Sequence, residues 1–154
     1  MVPAAAVAVV RDAAGTSLGA LRFERTGAGA RVTGMLTGLP EGAHGLHFHE
    51  VGRCDAPGFT SAGGHFNPAA KHHGLENPDG PHAGDLPSIT VLSTGRVQVD
   101  LTTARVMLDS TSSSGLFDAD GTALVVHAAP DDQHTDPSGN SGARIACGVV
   151  VRTR

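Results

Sequence analysis

Short runs of β-favouring residues, each closed by a glycine-bearing turn, recur along most of this 154-residue chain and leave little room for a long helix. The first runs are Ala6 to Arg11, Leu18 to Glu24, Ala30 to Thr37 and Leu46 to Glu50, with turns at Asp12 to Gly15, Thr26 to Gly29 and Leu39 to Gly42. Later runs are Ser88 to Leu92, Arg96 to Leu101, Ala104 to Leu108, Ala123 to Ala128 and Arg144 to Val151. Regularly spaced short strands with turn signals predict an all-β sandwich or barrel. Glycine, at 21 of 154 residues, is about twice ordinary usage and fits the same reading. The length suits one domain, residues 1–154, around a single core. The apolar opening Val2 to Val10 reads as the first strand, because it lacks the charged start and cleavage site of a secretion signal.

Between Asp55 and Pro87 the strand pattern breaks for 33 residues, which include six glycines and five prolines. A structureless loop of that length is uncommon in a compact domain and is usually functional or disordered. This one carries His65, His72, His73, His82 and Asp85, so a bound metal would supply the order its composition cannot. A second irregular stretch, Asp131 to Ala143, follows directly on His127. Composition excludes other classes. Lys71 is the only lysine, no basic run is present to track a phosphate backbone, and the net charge is -4, so no nucleic acid partner is expected. No apolar stretch approaches the roughly 20 residues of a transmembrane segment, so the protein is expected to be soluble.

Six histidines and an aspartate then define the chemistry: His47, His49, His65, His73, His82, Asp85 and His127. His47 and His49 lie two apart in a strand-like run, so both imidazoles face the same side and can converge on one ion. Alone, that spacing also fits two surface histidines. His65 sits in Gly63-Gly64-His65-Phe66-Asn67-Pro68, where glycines permit close backbone approach and the proline stiffens the exit. With His73, His82 and Asp85 it makes three imidazoles and a carboxylate, the closed tetrahedral set of a structural zinc site. His127 ends a buried-looking strand, where a lone histidine is usually a core residue, and gains its weight from the others.

The segments GLHFHE (45–50), SAGGHFNPAAKHHG (61–74), PHAGD (81–85), VVHAAPDD (125–132) and GNSGARIACGVV (139–150) resemble those of Cu/Zn superoxide dismutases, the bacterial type in particular. With the strand pattern, the resemblance covers nearly the whole chain. It implies an eight-stranded antiparallel Greek-key β-barrel or sandwich, immunoglobulin-like, with a long metal-binding loop. It also implies an enzyme that converts superoxide to O2 and H2O2 in antioxidant defence. His47, His49, His65 and His127 match copper ligands; His65, His73, His82 and Asp85 match zinc ligands, with His65 bridging. Asp131 matches the carboxylate linking one histidine of each set, here His47 and His73. Arg144 matches an arginine that attracts the anionic substrate, and His44 a structural position. Cys54 and Cys147, ambiguous as a bare pair, match the family disulfide, which implies an extracytoplasmic (periplasmic or secreted) setting. A homodimer is among the assemblies the resemblance implies. His72 and His134 read as solvated.

Two departures qualify the match. The segment from Cys54 to His65 is longer than in eukaryotic members, and the stretch after Asp132 is short and lacks lysine, which leaves electrostatic guidance mainly to Arg144. A copper-delivery module would be expected to present exchangeable thiolates, and a zinc hydrolase an open zinc position, so neither fits as well as a redox enzyme.

Overall fold

The computed structural model describes residues 5–153. Its strands are β1 (Ala6–Asp12), β2 (Ser17–Arg25), β3 (Ala30–Leu36), β4 (Gly42–His44), β5 (Leu46–His49), β6 (Ile89–Val91), β7 (Val97–Thr103), β8 (Ala123–His127), β9 (Arg144–Val149) and β10 (Val151–Arg152), with one 3-10 turn at Thr60–Ala62. All pair antiparallel. The main sheet runs β5-β8-β9-β1-β2-β3-β7, with β10 also on β1, while β4 and β6 form a second ladder. Only Gly45 separates β4 from β5, and a tight turn leads β6 into β7, with Leu92 N–H donating to Arg96 O at 2.9 Å. The two ladders therefore close on each other. With β4–β5 and β9–β10 each taken as one interrupted strand, this is the expected eight-stranded Greek-key barrel.

Alternation explains the walls. In β1 Ala6, Ala8 and Val10 are buried, and in β3 Ala30, Val32 and Leu36 are buried, as a half-buried strand of period two requires. The phase shifts in β2, where Leu18 and then Leu21 and Phe23 point inward. Register slips opposite it, between Val10 and Arg11. Gly19 sits at that slip with φ 141°, where a Cβ would lie 2.2 Å from Met35 O, so only glycine fits. Inside, the rings of Phe23 and Phe48 are 5.9 Å apart, and Leu21, Leu36, Leu46, Leu116 and Leu124 fill the remaining space with no exposure. Each such side chain contributes about 1.5–3 kcal/mol by leaving water.

Several expectations need correction. Ala104–Leu108 is not a strand. Met107 N–H donates to Ser114 O and Leu116 N–H to Met107 O, both at 2.9 Å, so this segment pairs with the loop that follows it. The buried Val106 and Leu108 that gave it a strand-like alternation pack into the hydrophobic core from this looped segment instead. Gly42–His44 is the strand β4, although the turn expected at Leu39 to Gly42 reaches into it and no run was expected before Leu46. The last strand breaks at Val150. Of the opening segment, β1 begins at Ala6, and residues 2–4 lie outside the described part.

The site is positioned by β5. Leu46 and Phe48 face the core, which leaves His47 and His49 on the outer face, yet all four residues are buried. The long loop covers them. Phe48 N–H donates to Gly84 O (2.9 Å), Phe66 N–H to Phe48 O (2.8 Å) and Glu50 N–H to Gly64 O (2.9 Å), so residues 64–66 and 84–85 run along the edge of β5. Isolated bridges pair His47 with Asp85 and His49 with His65. A Cβ on Gly84 would approach Phe48 O to 2.5 Å; the glycine lets the loop lie this close.

Candidate metal centre

Every histidine and carboxylate singled out in the sequence is buried here: His47, His49, His65, His73, His82, Asp85, His127 and Asp131. They form two adjoining groups. His47, His49, His65 and His127 each offer a ligand atom within 4.8 Å of the others, and His65, His73 and Asp85 do the same together with His47. His82 joins the second group pairwise, with Nδ1 3.1 Å from His65 Nδ1 and 3.6 Å from Asp85 Oδ1. His65 stands between the groups. Its ring stacks on that of His47 with centroids 3.9 Å apart.

Outer partners determine which ring nitrogens are free. His49 Nδ1 faces Gly63 O at 2.9 Å, and His127 Nδ1 faces Gly142 O at 3.1 Å. His47 Nε2 faces Asp131 Oδ2 at 2.6 Å, and His73 Nε2 faces Asp131 Oδ1 at 2.8 Å. Carbonyls and carboxylates only accept, so these four nitrogens carry the protons, and the opposite nitrogen of each ring presents a lone pair. Those lone pairs meet without donors between them. His49 Nε2 and His127 Nε2 are 3.4 Å apart, and His73 Nδ1 lies 2.9 Å from Asp85 Oδ1. His47 Nδ1 and His65 Nε2 are buried with no hydrogen-bond partner, while His73 Nδ1 and Asp85 Oδ1 have only each other and neighbouring imidazoles. Orphaned acceptors in a dry interior are costly unless something positive lies among them. The donor set therefore fits metal cations: imidazoles with copper or zinc, and a carboxylate with zinc.

Electrostatics agree. Burial pushes His47 down to about 3, His49 to about 2 and His127 to about 4, and it lowers His65 as well, so these rings stay neutral and able to ligate near neutral pH. At His73 burial acts in the same direction but is outweighed by Asp131 and Asp85, which raise it to about 9, so near neutral pH this ring also holds a proton on Nδ1 toward Asp85 and offers its lone pair only when a cation displaces that proton. Burial would raise the Asp85 carboxyl too, yet contacts with His65, His73, His82 and the Gly74 N–H hold it well below the usual carboxylate range. Asp131 is lowered in the same way, against burial, by His47 and His73. The second group is thus a seat for a positive charge beside two carboxylates.

A cleft of about 520 Å³ opens onto His49, His65 and His127. Arg144 lines it, half-buried, with Nη1 donating to Phe59 O at 2.9 Å. After burial and other causes, the Arg144 charge also disfavours protonation of His49 and His127. Among the described residues Glu50 is the only acid lining this cleft. The loop carrying Phe59 is tied to β9 by the Cys54–Cys147 disulfide, Cα–Cα 5.6 Å, three residues beyond Arg144.

Some contributors were not legible in the sequence. Gln133 is buried: its Oε1 accepts from Leu75 N–H (3.0 Å), its Nε2 donates to Leu86 O (3.2 Å), and its own N–H donates to Asp131 Oδ1 (2.7 Å). Asp136 accepts from His73 N–H at 2.6 Å and pairs with the ring of His72, so that exposed histidine is ion-paired rather than simply solvated. His134 is exposed. His44 is structural, its ring spanning Pro40 O (2.7 Å) and His127 O (2.9 Å). The one available signal was the density of polar residues after Asp131, and it does not say which of them turn inward.

Comparison with known proteins gives the same picture. The family profile described as copper/zinc superoxide dismutase matches residues 17–150. The chain is 47% identical over 137 residues to "Superoxide dismutase [Cu-Zn] 1" of Aquifex aeolicus, covering 88% of this chain and 81% of that protein. It is 42% identical over 147 residues to "Superoxide dismutase [Cu-Zn]" of Caulobacter vibrioides, covering 94% and 84%. Among solved structures, a SOD-like protein from Bacillus subtilis superposes with a TM-score of 0.90 at 39% identity, over 93% of this chain and 96% of that one. With the barrel, the histidine groups and the disulfide, these matches show that the chain belongs to the copper/zinc superoxide dismutase family, oxidoreductases that use copper and zinc to dismute superoxide.

Proposed function

We propose that residues 1–154 act as one domain in which His47, His49, His65 and His127 hold the copper, and His65, His73, His82 and Asp85 hold the zinc. The observation that carries this assignment is the set of buried ligand atoms without partners, together with the position of His65, whose Nε2 is orphaned and whose Nδ1 faces the zinc-side ligands. When bound, copper supplies a one-electron couple between two superoxide ions, and zinc supplies fixed positive charge without redox chemistry.

The chain's own residues do the rest. With copper bound, His65 Nε2 would take a proton from solvent once the first superoxide has left as O2 and would release it to the second, which takes its other proton from solvent and departs as H2O2. Its Nδ1 stays committed to the zinc side, so the ring is not lost between half-cycles. Asp131 holds His47 and His73 in the tautomer that leaves Nδ1 bare. Arg144 draws the anion into the cleft against the overall charge of -4. The Cys54–Cys147 bond supports a setting outside the cytoplasm, in the periplasm or secreted.

The test is elemental analysis of the purified chain combined with superoxide dismutation before and after copper loading. One copper and one zinc per chain with copper-dependent activity is the expected result. Full occupancy of both metals without activity would overturn the reading.

A further inference from the structure

A second cleft, of about 310 Å³, shares no lining residue with the histidine cleft and lies between the loop residues Lys71, Gly80 and Ala83 and the segment Arg105, Ser113 and Ser114. No acid lines it. Arg105 reaches it half-buried. Its Nη2 donates to the backbone oxygen of Asp85 at 3.1 Å, while its Nε is buried with no partner at all. Arg105 and Lys71 meet no carboxylate among the described residues. Lys71 is held at the cleft by its backbone, its N–H donating to Asn67 Oδ1 and its O accepting from Asn67 Nδ2, both at 2.9 Å. Two cations thus line one concave surface, Arg105 through the accessible end of its guanidinium, in a protein whose net charge would otherwise repel anions. A half-buried guanidinium without a counter-charge is an unfavourable arrangement unless a ligand completes it.

We propose that this cleft is an oxyanion site, built for a tetrahedral dianion of the phosphate class. Arg105 supplies the directional donors that match oxyanion geometry, Lys71 a mobile second charge, and Ser113 and Ser114 hydroxyl donors at the rim. The volume exceeds what a free phosphate fills, so a phosphate monoester also fits.

The experiment uses the metal-loaded full chain, titrated at constant ionic strength with inorganic phosphate, with chloride and with glycerol phosphate, and followed by amide NMR. Phosphate should give saturable shifts in the millimolar range at Gly80, Ala83, Ser113 and Ser114, and chloride none. Saturation by glycerol phosphate as well would identify a monoester as the ligand, and saturation by phosphate alone the free ion. Lys71→Gln should weaken binding at least about fivefold and Lys71→Arg should retain it, while Arg105→Gln should abolish it. Lys71→Gln keeps the test decisive if the Arg105 variant fails to fold. Equal responses to phosphate and chloride, shifts confined to the cleft of Arg144, or unchanged affinity in Lys71→Gln would overturn the proposal.

Discussion

Asp131→Asn is the substitution that probes how the two halves of the centre are held together. The Asp131 side chain is fully buried. One carboxylate oxygen accepts from His47 Nε2 at 2.6 Å, and the other accepts from His73 Nε2 at 2.8 Å and from the Gln133 N–H at 2.7 Å. Asparagine keeps the shape but replaces one acceptor by an NH2 group. That group must face a ring nitrogen that now carries a proton. Two donors cannot meet at this distance, so one imidazole has to shift its proton to Nδ1, the atom aimed into the metal groups. Loss of the negative charge weakens the hold on both rings as well. Losing an outer partner of this kind typically lowers metal affinity 10- to 100-fold, about 1.4–2.7 kcal/mol. Competition against a chelator of known affinity, run separately for copper and zinc, reads the loss directly. If Asp131→Asn bound both metals within about threefold of the parent, the tautomer argument would fail.

Other consequences follow from the same geometry. Arg144→Ala should lower kcat/KM by about tenfold and flatten its dependence on salt, since steering by a local charge is worth at least that much; an unchanged rate and salt slope by stopped-flow would refute the role given to Arg144. Replacing Cys54 and Cys147 by serine opens a 93-residue separation, which on the chain-entropy account lowers stability by about 4–5 kcal/mol, measurable by denaturant unfolding of the metal-loaded protein. Gly84→Ala should cut zinc retention, because the added Cβ meets Phe48 O at 2.5 Å and pushes residues 84–85 off β5; normal zinc content by elemental analysis would count against that fit. Removing both metals should speed amide exchange over residues 64–85 far more than in β1 to β3, whose order comes from packing. Uniform acceleration across the barrel would contradict this division.

The barrel was legible where strands are long and half-buried. Ala6, Ala8 and Val10, or Ala30, Val32 and Leu36, show their period in the sequence itself. It was illegible where other forces set the pattern. Gly42–His44 is only three residues long, opens on a glycine that ends the expected Leu39 to Gly42 turn and is followed by Gly45, so nothing local marks it as a strand until β6 pairs with it. Val106 and Leu108 alternate because both turn into the core from a looped segment, and no local signal separates that from a strand. In the centre, the histidines and Asp85 could be read because ligand chemistry restricts residue type. Their burial could not, since the face of β5 that carries His47 and His49 is covered only by a loop whose path depends on long-range bonds to Phe48. Gln133, Asp136 and Arg105 were missed for the same reason: their partners lie 20 to 63 residues away.

The central claim is that one side chain, His65, serves both metals. The direct test loads copper(II) into the first group and cobalt(II) in place of zinc, one of each per chain, and records the electron paramagnetic resonance of the copper. A shared imidazolate couples the two spins, so the copper signal should be strongly suppressed and should return when the second site holds zinc. A full-intensity, unperturbed copper(II) signal with both ions stoichiometrically bound would show that His65 does not join them.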